Sequence, residues 1–135
     1  MVKILTIEKS QELFDLGIKR ELATGTDGDK QVFTLDDIIG LLQKEILAEF
    51  YVLGCNIIED FSLDIAVESF NKYDGYEDEM GIPISLVYYS VAGYRKGDEW
   101  LVRFQGHDVI GVTYDLVLWC IKKGYIKQDK YESKN

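Results

Sequence analysis

The chain has 135 residues, 47% of them hydrophobic and 13% aromatic, with a formal net charge of −9. A chain of this length buries roughly two thirds of the surface its unfolded form exposes, which suffices for one core and excludes two. The negative charge excludes a general affinity for nucleic acid, because phosphate backbones are bound by lysines and arginines that release counterions.

The charge is unevenly spread. Residues 1–68 carry 6 basic and 14 acidic side chains, residues 69–135 carry 9 and 10, and from Arg95 onward bases outnumber acids 8 to 6. An anion site therefore belongs in the C-terminal half, and an acidic face for a basic partner in the N-terminal half. No stretch approaches the roughly 20 apolar residues of a membrane span, and the N-terminus lacks the apolar run and small-residue cleavage site of a secretion signal, so the chain reads as cytoplasmic. Cys55 and Cys120 lie in apolar surroundings without CxxC spacing or a neighbouring histidine. They read as reduced core residues, with no metal site and no cofactor.

In chain order, the alternation of branched residues predicts a strand over 2–7, and "SQELFDLGIKREL" a short helix or turn opened by Ser10 and weakened by Gly17. "ATGTDGDKQ" reads as a surface loop; it lacks the Gly-Lys-Ser/Thr ending of a phosphate loop and the twelfth-position glutamate of a calcium loop. Thr34 with Asp37 resembles a capping box, and Ile38, Leu42, Ile46, Phe50 and Leu53 at helical spacing extend the predicted helix from Leu35 to Leu53, with Gly54 as its stop. "DFSLDIAVESFNKYDGY" follows the same grammar, with Asp60 or Ser62 as cap and Gly75 as terminator, and predicts a second helix. Residues 82–92 and the stretch around Trp100, Val102 and Phe104 read as two strands, joined by a turn within Gly93 to Asp98, with Pro83 at the first strand's start. Thr113 caps a last helix that ends at Lys122, Lys123 and Gly124, and residues 125–135 form a tail that frays or docks.

The order helix, helix, strand, turn, strand, helix is joined by particular residues: the helix running into Gly54, "DFSLDIAVESF", the Trp100-centred strand, and the Gly-x-Thr opening of "GVTYDLVLWCIKKG". Together these resemble the phage-encoded ABA sandwich domain family over about residues 36–124. The resemblance implies an α+β fold in which a small antiparallel sheet is packed between helices, a helix-sheet-helix sandwich. It also implies a phage or prophage origin, a host bacterial cytoplasmic location and no catalytic residues. Residues 1–33 form an N-terminal extension outside the match, within a single domain of residues 1–135. Small phage proteins of similar organisation include the sponges that sequester the cyclic ADP-ribose signals of the Thoeris defence system, and the chain is similar to that functional class. No ligand motif carries over residue by residue.

For chemistry, the single histidine, His107, sits in a polar connection, "FQGHDVIG", whose spacing does not bring it to Cys120 or Ser90 as a catalytic pair would need. The adjacent carboxylates Glu77, Asp78 and Glu79 read as solvation of a surface connection, and the chain reads as non-enzymatic. Capture of a nucleotide-like signal needs arginines for phosphate and aromatic faces for a base. The candidate ligand residues are Arg103, on the sheet face opposite Trp100, Val102 and Phe104; Arg95, in the turn beside Tyr94; Arg20; Tyr76, placed with Tyr73 as a lid over the sheet; and His107. The alternative function is an acidic protein-protein inhibitor of a host defence factor, whose carboxylates Asp36, Asp37, Glu45 and Glu49 cover a basic surface. Apolar residues in the tail and on the long helix suggest a homo-oligomer under either function.

Overall fold

The computed structural model describes residues 4–71 and 86–132. Of the predicted first strand, residues 2 and 3 lie outside the described residues and only Ile4 makes a bridge, while the helix expected to open at Ser10 starts earlier, at Ile7. Ile4 bridges Thr34, the Leu5 N–H donates to the Phe33 carbonyl at 2.8 Å, and helix α1 (Ile7–Asp15) begins at once. Thr6 is its cap, accepting from the Lys9 N–H, so a threonine counted toward strand alternation instead satisfies an orphan donor. Gly17, at φ 101°, stops the helix. A single 3-10 turn follows at Arg20–Leu22, and the predicted loop is a hairpin of β1 (Gly25–Asp27) and β2 (Lys30–Val32).

Helix α2 (Leu35–Leu41) carries the capping box read from the sequence: Thr34 accepts from the Asp37 N–H, and the Asp37 carboxylate accepts from the Thr34 N–H. That carboxylate also accepts from the N–H and hydroxyl of Thr24. Burial works against its charge, but the hydrogen bonds from Thr24 and Thr34 outweigh it and hold the carboxyl below its usual range.

The predicted helix over 35–53 ends twelve residues early, and Glu45–Val52 is strand β3. The second predicted helix is strand β4 (Cys55–Asn71). The reason is common to both: residues four apart, such as Ile46 and Phe50 or Phe61 and Ile65, share a face at either the helical or the strand period. Between them the strand period wins. Ile46 and Ala48 are buried while Glu45, Leu47, Glu49 and Tyr51 stand outward. Leu53 and Gly54, at φ 51° and 84°, close a two-residue hairpin loop between the strands. The helices predicted over residues 42–71 are therefore a β-hairpin.

β5 (Leu86–Lys96) and β6 (Glu99–Gly106) form the hairpin read from the sequence, turning at Gly97 and Asp98. Residues 82–85, Gly75 and the acidic stretch with Tyr73 and Tyr76 lie outside the described residues. The antiparallel sheet runs β3-β4-β5-β6, with inward rows Ile46–Phe61, Leu63–Tyr94 and Ile65–Ala92. Helix α3 (Val109–Lys123) packs against β5 and β6, which makes the fold α+β. Its cap is Asp108, five residues before the predicted cap, and Thr113 lies inside the helix, where its hydroxyl donates to the Val109 carbonyl at 2.7 Å. Gly124, at φ 82°, ends it as predicted.

One core takes Leu13, Ile18 and Phe33 together with Ile38, Phe61, Tyr94, Leu116 and Val117. The tail docks on its own chain. Ile126 is buried, Tyr131 bridges Ile18, and the Glu132 N–H donates to the Gly17 carbonyl at 2.8 Å. The exposed apolar surface expected in the tail and on a long helix lies mostly on β3 and β4 instead. Among the described residues, no helix is long and apolar enough to cross a membrane.

Candidate functional site

Along β5, Ala92 and Tyr94 point into the core, so Tyr89, Gly93 and Arg95 belong to the other face. Strict alternation on β6 would place Trp100 with Val102 and Phe104, away from Arg103. The register forbids this: Tyr94 pairs with Val102 but Arg95 pairs with Trp100, so Leu101 is an extra residue in a bulge. The bulge moves the indole to the side of Arg103. Its ring centroid lies 5.6 Å from the Arg103 Cζ and 5.3 Å from the Arg95 Cζ, and the Arg103 Cζ is also 5.7 Å from the Tyr89 ring.

Gly93 makes this arrangement possible. A Cβ there would stand 2.1 Å from the Val102 carbonyl oxygen and 2.9 Å from Cζ3 of Trp100, so the indole covers backbone that no side chain could share. The arginines have further partners. Arg95 Nε lies 3.0 Å from Asp64 Oδ2, and Arg103 Nη1 donates to Gln105 Oε1 at 2.8 Å. Each contact is worth little in water, about 0.5–1 kcal/mol for a cation over an exposed ring and less for a surface ion pair. Their joint effect is geometric: two guanidiniums, an indole and a phenol are held on one sheet face.

The other sequence candidates do not join this strip. Arg20 stacks on Phe14 at 4.3 Å, and its backbone N–H is held by Glu132, so its partners are α1 and the tail. His107 is exposed in the short connection between β6 and α3. Tyr76 lies outside the described residues. Tyr89 was expected from the sequence as one of the aromatic residues near which the arginines would group, with Tyr76 and Tyr88; Trp100, Gly93, Asp64 and Gln105 are the additions that the structure supplies, since a bulge leaves no mark in an alternation pattern.

Cys120 is fully buried, and burial pushes its thiol up to about 12, with a hydrogen bond to Tyr94 opposing the shift. At neutral pH it is therefore a thiol rather than a thiolate. Tyr94, also raised well above its ordinary value by burial, donates its hydroxyl to the Gln43 carbonyl at 2.6 Å and ties β5 to the segment before β3. Cys55, expected in the core, is exposed beside the β3–β4 turn. An open groove of about 670 Å³ lies between the end of α1 and the tail, lined by Leu16, Gly17, Ile126 and Tyr131, separate in sequence and in lining from the arginine strip. No family model matches the chain, and neither a curated protein nor a solved structure matches it.

Proposed function

We propose that the protein is a non-enzymatic binding protein that captures a small nucleotide-derived anion on the outer face of β5 and β6. The observation that supports this reading is the convergence of Arg95 and Arg103 on Trp100, with Tyr89 alongside. Guanidinium groups match phosphate oxygens in a planar, bidentate fashion, and aromatic rings offer a stacking surface to a base. Guanidiniums already stacked on a ring lose less freedom when a ligand arrives. Arg95 and Arg103 both offer guanidinium donors to phosphate oxygens, and the Asp64 carboxylate beside Arg95 suits a ribose hydroxyl better than a second phosphate.

The signal class is a cyclic ADP-ribose or a cyclic oligonucleotide, and the setting is a phage or prophage countering bacterial host defence by stoichiometric capture. Both come from the sequence resemblance over residues 36–124 rather than from the geometry. The test is calorimetric titration of the purified protein with cyclic ADP-ribose isomers, cyclic di- and trinucleotides and their linear counterparts, followed by recovery of the ligand from heat-denatured complex. One tight ligand recovered unchanged, with affinity reduced about tenfold or more by Arg103→Ala, is the expected result; the factor follows from the loss of a charge-assisted hydrogen bond. An altered product would replace capture with catalysis, and no binding across the series would remove the reading.

A further inference from the structure

The pairing of β4 with β5 starts at Ser62 and Arg95, whereas β3 and β4 remain paired as far as Val52 and Cys55. The six pairs from Leu47–Asp60 to Val52–Cys55 therefore have no third strand among the described residues. At about 3.4 Å per residue they form a two-stranded arm roughly 20 Å long. Leu47, Tyr51 and Ile58 on its outer face are 63%, 71% and 64% exposed, and Leu53 at its tip is 98% exposed. A ribbon of two strands is marginal by itself, and uncovered apolar side chains on it are unfavourable unless something covers them.

Two observations say what covers it. From Glu45 to Ser62 the chain carries four acidic residues, Glu45, Glu49, Glu59 and Asp60, and not one lysine, arginine or histidine. Glu45, Glu49 and Asp60 share the outer face with Leu47, Tyr51 and Ile58, and two such arms laid together would bring their carboxylates together in a chain of charge −9. The second is Leu53. It holds a left-handed backbone at φ 51° where asparagine or glycine is favoured, so the tip keeps a large apolar residue at a cost to folding.

We infer that the β3–β4 arm is a docking ribbon for a basic, extended segment of another protein, which adds as a strand along the open edge of β3. Alternation fixes the chemistry of that segment. Side chains opposite Glu45 and Glu49 are cationic and four residues apart, the one between them, opposite Leu47, is apolar, and the intervening positions lie over Ile46, Ala48 and Phe50. The inference stands apart from the anion strip on β5 and β6.

The experiment uses the full chain, labelled with nitrogen-15, and a capped ten-residue peptide with two lysines four apart, leucine midway and threonine or valine elsewhere. The control peptide has the same composition with the lysines three apart, which puts them on opposite faces of a strand. Saturable binding with amide shifts confined to residues 45–53, weakened by up to about fivefold in the control and by at least as much in Glu49→Lys, is expected from the one cross-strand charge pair that each change misplaces or reverses. Equal binding of both peptides, or shifts spread over acidic residues throughout the chain, overturns the inference. Sedimentation of the unliganded protein as a dimer that protects the arm amides also overturns it, in favour of a second copy. An unchanged nucleotide titration in Glu49→Lys separates this result from any failure of the anion site.

Discussion

The two ends of the four-stranded sheet are written in the same alphabet and meet different fates. Ser90, Val91, Ala92, Gly93 and Tyr94 of β5 are all buried, with β4 and β6 as neighbours and α3 against the sheet. Leu47, Tyr51 and Ile58, on strands just as rich in branched and aromatic side chains, stand mostly in water. What separates the two regions is the number of elements that reach them, not their composition. Burial is a property of the neighbours, and the arm extends past them.

The sharpest way to break that contrast is a matched pair of truncations. Leu116→Ala, in the fully buried face of α3, should destabilise by about 2–5 kcal/mol, whereas Leu47→Ala should stay within about 0.5 kcal/mol in urea unfolding. Equal losses would show that the arm is covered in the isolated protein. Next in size is Gly93→Ala, where the Cβ meets a backbone oxygen that cannot swing away. A cost of about 2–3 kcal/mol, with a shift in Trp100 fluorescence, is expected; an unchanged spectrum would mean that the indole does not lie over β5.

A smaller effect concerns acid. Asp37 has a carboxyl lowered by the fold from an ordinary value of 3.8, so its contribution is complete above that value and is lost as the pH falls through the lowered one. Stability measured against pH should therefore drop below about 3.8, and the drop attributable to this residue should vanish in Asp37→Asn. A drop unchanged in that variant would transfer the effect to other carboxylates. Smallest, and opposite in sign, is Leu53→Asn. It should stabilise the protein by roughly 0.5 kcal/mol, because asparagine tolerates the left-handed backbone, while weakening capture of the lysine peptide.

By itself the sequence determined the features whose causes are local. Thr34 and Asp37 cap α2, Gly124 ends α3 after Lys122 and Lys123, and the turn between β5 and β6 falls within Gly93 to Asp98, because each depends on hydrogen bonds or φ values within a few residues. Arg95 and Arg103 were legible as candidates from their scarcity, there being three arginines in the chain. Only the tertiary structure decided the rest. Ile46 with Phe50 and Phe61 with Ile65 fit a helix or a strand equally well, and the choice came from pairing between segments distant in sequence. The bulge at Leu101 turned Trp100 toward Arg103 because the partner strand, not the alternation, sets the register. The exposure of the arm likewise follows from where β5 stops pairing at Arg95, a boundary set by the turn of one hairpin and felt by the side chains of another.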